Sequence, residues 1–162
     1  MSATPEAFRA AIARLATGVV VVAVNHGGTD HAMTASTLTS VSLEPPMLLF
    51  CVHRESRFRD ALDEVDQWAV SVLSDTGSSV ADWFASPGRP VVGQFAQVPH
   101  RRGALSGAAL VEDASAWFEC RTAAIHRAGD HDIVIGDVVS AATGELGAGG
   151  LVHHRGRLRP VR

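Results

Sequence analysis

Trp117-Phe118-Glu119-Cys120-Arg121-Thr122-Ala123-Ala124-Ile125 and Ile133-Val134-Ile135-Gly136-Asp137-Val138-Val139 decide the fold class. Both stretches read as long strands, and Arg127-Ala128-Gly129-Asp130-His131 joins them by a turn with no helix between. Working outward, the same absence of strand–helix alternation recurs. Val19 to Val24 is a continuous aliphatic run, which predicts a strand buried on both faces. His26-Gly27-Gly28-Thr29-Asp30 reads as a hairpin-like turn, and His31 to Val41 as a Thr/Ser-rich strand and loop broken at Glu44-Pro45-Pro46. Met47 to Val52, Trp68 to Leu73 and Leu151 to Val161 complete the predicted strands.

Helices are few and short. Thr4-Pro5-Glu6 supplies a cap, a first-turn proline and an acid at the positive dipole end. Phe8, Ala11, Ile12 and Leu15 then repeat on one apolar face, which predicts packing, until Thr17-Gly18. Ser56 to Leu62 and Thr76 to Phe84 are the other helical stretches, and Pro87 to Gly107 reads as an irregular surface excursion. This pattern disfavours a doubly wound α/β sheet. It predicts one mainly β domain over residues 1–162, a closed β-barrel with short peripheral helices.

Composition narrows the chemistry. The chain has 162 residues, and all 14 of its basic residues are Arg; there is no Lys and no Tyr. Schiff-base, phosphate-loop lysine and tyrosyl acid/base mechanisms are therefore excluded from within it. A hydrophobic share of 46% with 19% charged residues is globular rather than disordered. A net charge of −3 gives no electrostatic case for nucleic acid or an anionic membrane. The longest aliphatic run, Val19 to Val24, falls far short of the roughly 18 residues of a membrane span. Met1 to Phe8 lacks the pattern of a secretion signal. Cys51 and Cys120 carry no metal or redox spacing and read as buried, reduced thiols of a cytoplasmic protein.

Several motifs fail. In Gly144 to Gly150 the spacing Gly147-x-Gly149 would need a third glycine where Val152 stands, so the loop is no dinucleotide fingerprint. No G-x-S-x-G elbow anchors serine hydrolysis. The eight histidines show no metal-ligand spacing, and His153-His154 would face opposite sides of a strand.

Two motifs stand out. Ala32-Met33-Thr34-Ala35-Ser36-Thr37-Leu38-Thr39-Ser40 gathers short hydroxyls between apolar strands, where small side chains let a flat ligand approach the backbone. Its bland reading is an edge strand whose hydroxyls bond its own backbone. Gly129-Asp130-His131-x4-Gly136 sets an imidazole at the start of a strand; alone it is a turn histidine.

With Ala16-Thr17-Gly18-Val19-Val20-Val21, Ser40-Val41-Ser42-Leu43-Glu44-Pro45-Pro46, Cys51-Val52 and His154-Arg155-Gly156-Arg157, these segments resemble the flavin reductase domain family over nearly the whole chain. The resemblance implies an FMN-binding split β-barrel, a homodimer and NAD(P)H-dependent reduction of FMN or FAD. The reduced flavin would go to a partner monooxygenase. It places Met33, Thr34, Ala35, Ser36 and Thr37 along the isoalloxazine, and Ser40, Cys51, Val52, His53, Ser56, Arg57 and Phe58 near the ribityl chain and phosphate. His131, the implied catalytic residue, would lie on the nicotinamide side with His153, His154, Arg155 and Gly156. Arg57 suits a phosphate because a guanidinium binds it bidentately. His131 takes an orienting role, since the cofactors carry the reaction. Two other readings stay open: a split barrel that holds FMN permanently as an oxidase, and a non-enzymatic flavin-binding module.

Overall fold

The computed structural model describes residues 2–145 and 147–162; Met1 and Leu146, the latter in the Gly-rich loop, lie outside the described residues. The Thr4 hydroxyl accepts from the Ala7 N–H at 3.2 Å and opens α1 (Pro5–Ile12). The apolar face of that helix does not pack on its own chain: Phe8, Ile12 and Leu15 are 60%, 47% and 57% exposed.

After the short β1 (Thr17–Gly18), β2 (Val20–His26) pairs antiparallel with β3 (Thr29–Ala35). β4 (Thr39–Leu43) and β5 (Pro46–His53) follow as a second hairpin, then α2 (Arg57–Asp63), β6 (Gln67–Leu73) and α3 (Ser78–Ala85). The segment after α3 holds a small hairpin, β7 (His100–Arg102) and β8 (Ala109–Val111). The long strands are β9 (Ala114–Ala128) and β10 (His131–Thr143), joined by Gly129-Asp130 with Gly129 at φ +66°. The C-terminal stretch expected as one strand is a hairpin, β11 (Gly150–His154) and β12 (Arg157–Val161), turned by Arg155 and Gly156 at positive φ.

Seven strands form one antiparallel ladder in the order β3-β2-β6-β9-β10-β5-β4, and β1-β11-β12 form a second sheet. This is the mainly β architecture with short peripheral helices. The ladder is not closed, however, because β3 and β4 end it as separate edges; the expectation of a closed barrel is corrected to that extent.

The aliphatic run of β2 is buried on both faces, as its lack of polar alternation required. Val20, Val22 and Val24 join one core with Phe50, Val52, Trp68 and Val134. Val19, Val21 and Ala23 join the other with Leu73, Phe84, Phe95 and Leu110. The second core draws Phe95 and Val98 from the stretch expected to run over the surface, and Ala108 to Val111 from just beyond it. That excursion therefore covers one sheet face, which would otherwise be wet. Gly136 is needed for packing: a Cβ there would stand 2.4 Å from Trp68 Cζ2.

A buried carboxylate pins the excursion. Glu119 Oε1 accepts from the Leu105 N–H (3.0 Å), the Ser106 N–H (2.7 Å) and Ser106 Oγ (2.7 Å). Burial opposes its ionisation, but these donors outweigh burial and hold the carboxyl below the usual glutamate range. A depressed folded-state pKa means that this stabilisation is present above the ordinary glutamate pKa and is lost as pH falls through the lower, folded value. Glu119→Ala leaves three donors unpaired and should cost about 1–3 kcal/mol in denaturant unfolding at neutral pH. The gap to the parent protein should shrink below about pH 4.

Candidate functional site

The outward N–H and C=O of Ala32, on edge strand β3, are met by side chains rather than by another strand. The Ala32 N–H donates to Gln94 Oε1 at 3.2 Å, and Arg89 Nη2 donates to the Ala32 carbonyl at 2.9 Å. These bonds bend the segment from Ser86 to Gln94 over the end of β3. A cleft of about 410 Å³ lies between that segment, β3, the end of β5 and the start of α2.

The cleft gathers most of the residues that the sequence singled out. Met33, Thr34, Ala35, Ser36 and Thr37 form one wall; Cys51, His53, Ser56, Arg57, Phe58 and His131 form the other. Ser56 caps α2, its Oγ accepting from the Arg59 N–H at 3.2 Å. Arg57, next in sequence, reaches across and donates to the Arg89 carbonyl at 2.8 Å. Two hydroxyls of the polar strand are already engaged: Thr34 donates to the Ala81 carbonyl at 2.6 Å, and Thr37 accepts from the Cys51 N–H at 2.9 Å.

His131 and His53 face each other across the β10–β5 pairing with ring centroids 5.3 Å apart. His131 Nδ1 lies 2.7 Å from Asp130 Oδ1, which leaves Nε2 as its free ring nitrogen. The imidazole in turn holds the Asp130 carboxyl below its usual range. His31, on the cleft's outer rim, is pushed below the ordinary imidazole range by burial, then by His26 and Arg57. It is accordingly a neutral group at neutral pH.

A second cleft, of about 660 Å³, shares Thr34 and Ser36 with the first and is bounded by α3 and the C-terminal hairpin. His153, Gly156, Arg157 and Asp82 line it.

Four expected site residues fall elsewhere. Val52 is 1% exposed and points into the core, because alternation along β5 sends Cys51 and His53 to the cleft and Val52 the other way. His154 is parted from His153 for the same reason, and Arg155 occupies the hairpin turn, its N–H bonded to the Ala13 carbonyl at 2.8 Å. Ser40 is exposed on edge strand β4. Of the two thiols, Cys120 is buried as expected, and burial pushes it up to about 12, whereas Cys51 is only half-buried, in the cleft wall. Sequence reading missed His31, Gln94 and Arg89. The last two belong to a stretch with no periodicity, and only their bonds to Ala32 bring them to the site. Among the described residues, no group of three His, Cys, Asp or Glu side chains is placed to hold a metal. No helix there is long and apolar enough to cross a membrane.

Residues 12–162 match the flavin reductase like domain. The chain belongs to that family. A probable flavin reductase of Rhizobium meliloti (strain 1021) is 42% identical over 153 residues, 94% of this chain, which spans 47% of that relative's length. The flavin reductase component of a bacterial two-component tryptophan halogenase has the same fold (TM-score 0.92, 38% identity, 98% of each chain). So has a Streptomyces globisporus NADH:FAD oxidoreductase solved with NAD and FAD fragments (TM-score 0.91, 33% identity, 100% of this chain and 97% of that one).

An ion pair joins the strand and the helix behind one wall of the cleft. Asp132, beside His131, accepts from Arg59 Nε at 2.8 Å, and Arg59 also pairs with Asp63 on α2. Burial makes each charge dependent on its partner, so Asp132→Ala should cost roughly 3 kcal/mol in thermal or denaturant unfolding.

Proposed function

We propose that this chain, as a single domain over residues 1–162, is a flavin reductase. It oxidises NADH or NADPH, reduces FMN or FAD, and supplies the reduced flavin to a partner flavin-dependent monooxygenase in the cytoplasm. The observation that carries this reading is the carboxylate-free cleft between the Thr34–Thr37 strand and His131, with Arg57 at one end and a second cleft adjoining at Thr34 and Ser36. Its residues fit a flavin: small side chains admit a flat ring, and guanidinium groups with no carboxylate among the lining residues suit a phosphate. The halogenase reductase component among the structural relatives supports delivery to a partner enzyme. The uncovered apolar face of α1 supports a homodimer.

When bound, the two cofactors supply the hydride chemistry themselves. What falls to this chain is binding and orientation. The backbone from Met33 to Thr37 offers donors and acceptors to the ring edge, Ser56 and Arg57 bind the phosphate end, and His131, steadied by Asp130, orients the nicotinamide. His153, Gly156 and Arg157 line the route by which the nucleotide enters.

The direct test follows the near-ultraviolet absorbance of NADH and NADPH with and without FMN or FAD. Rapid flavin-dependent oxidation is expected, and none under any pairing would refute the reading. A protein that purifies with stoichiometric FMN and ignores added flavin would instead favour the resident-cofactor oxidase. His131→Ala should raise KM for the nicotinamide nucleotide more than it weakens flavin binding; equal losses in both would remove its orienting role.

A further inference from the structure

His53 and His131 stand directly opposite each other in the β5–β10 register and both line the cleft, with rings inclined at 75° and centroids 5.3 Å apart. The groups behind them give the two rings opposite hydrogen-bonding characters. The Glu55 N–H donates to His53 Nδ1 at 3.2 Å. That nitrogen therefore accepts, and the one proton of the neutral ring sits on Nε2. His131 Nδ1 lies 2.7 Å from Asp130 Oδ1, a carboxylate that can only accept. Its Nδ1 therefore carries the proton, and Nε2 of the neutral ring is an acceptor. The pair presents one N–H donor and one bare nitrogen.

Backbone bonds hold this pattern in place. The Arg54 N–H donates to the Asp130 carbonyl at 3.0 Å, tying the turn after β5 to the turn before β10. Arg54 Nε also lies 3.5 Å from Asp132 Oδ1. Little ordering thus remains to be done when a ligand arrives. A donor beside an acceptor matches an amide, whose C=O accepts and whose N–H donates. With hydrogen bonds of about 2.9 Å, one planar amide reaches both rings at this separation. None of the described residues lining the cleft is acidic, so no lining carboxylate competes for the amide N–H. The reductase reading brings two such groups to the cleft, the carboxamide of nicotinamide and the pyrimidine edge of the flavin. In that reading the backbone from Met33 to Thr37 serves the flavin edge, and the imidazoles fall to the carboxamide.

We propose that His53 and His131 grip the nicotinamide carboxamide between them. His53 Nε2–H donates to its oxygen, and His131 Nε2 accepts from its NH2. His53 is thereby a further substrate-binding residue, and the pair selects nicotinamide over pyridine analogues that lack the NH2. A gripped carboxamide also fixes how the dihydropyridine ring is turned toward the flavin. The inference rests on the flavin reductase reading of this cleft.

The test is run at about pH 8, where an ordinary imidazole is neutral. KM and kcat are measured for NADH and for its reduced 3-acetylpyridine analogue, which keeps the carbonyl and carries methyl in place of NH2. Flavin affinity is measured separately, by fluorescence quenching without nucleotide. Wild type, His53→Leu, His53→Gln and His131→Ala are compared; His53 is exposed, so neither of its substitutions empties the core. Both nucleotides have the carbonyl, so His53→Leu should raise KM for both about tenfold, as loss of one hydrogen bond implies. His53→Gln, which retains an N–H donor, should recover part of that loss. Only NADH has the NH2, so His131→Ala should lower the NADH-to-analogue ratio of kcat/KM about tenfold. The intrinsic difference in hydride donation between the two nucleotides cancels in that comparison. Flavin affinity should change far less than KM. An unchanged KM in His53→Leu, or an unchanged ratio in His131→Ala, would reduce the rings to a packing contact and overturn the proposal. So would a loss of flavin affinity as large as the rise in KM, which would assign the pair to the flavin's own amide edge. A wild type that oxidises neither nucleotide with FMN or FAD would overturn the functional reading itself.

Discussion

Ala32 sits at the open edge of a seven-stranded sheet, and satisfying its outward N–H and C=O shapes everything around the cleft. An unpaired strand edge invites another strand and must be covered. Here Gln94 and Arg89 cover it, and their chain segment thereby roofs the cleft. A second paired strand would have met the same backbone requirement but filled the space where a ligand enters. Because side chains do the capping, β3 keeps its small residues facing a cavity.

The segment that caps the edge is also part of the core. The rings of Phe84 and Phe95 pack at a tilt of 42° with centroids 4.7 Å apart, and Trp83 Nε1 donates to the Gln94 carbonyl at 2.8 Å. Further along, Glu119 anchors the turn at Leu105 and Ser106. The roof is therefore held at several points by buried groups. On the opposite wall, Asp132 and Arg59 join the strand that carries His131 to the helix that carries Arg57. His131 and Arg57 thus share one rigid frame.

The absence of lysine takes on a local meaning in this frame. The cationic side chains at the cleft are guanidinium groups, whose planar donor sets bond backbone carbonyls; Arg57 and Arg89 each do so. An ammonium group could not brace the loop through carbonyls of fixed geometry and still present a planar fork. The absence of tyrosine leaves histidines and small polar groups on the walls of the two clefts.

Much of this was legible in the chain. The unbroken valines of β2 announced burial on both faces, and Gly129-Asp130 announced the turn that places His131. Ser56 announced the cap beside Arg57. These are local matters, governed by period, turn chemistry and capping. Strand alternation parts His153 from His154, and the same rule assigns Cys51 and His53 to one face of β5 and Val52 to the other. What sequence could not supply was the partner of an edge. The stretch from Ser86 to Gln94 has no periodicity, and Arg89 is 57 positions from the carbonyl it caps. Likewise the carboxylate that pins Ser106 comes from a strand 13 residues away. Local spacing determined the elements and most of the binding strand; only the folded chain decided which distant side chains would meet the unpaired backbone of β3, because that need arises when the sheet acquires an edge.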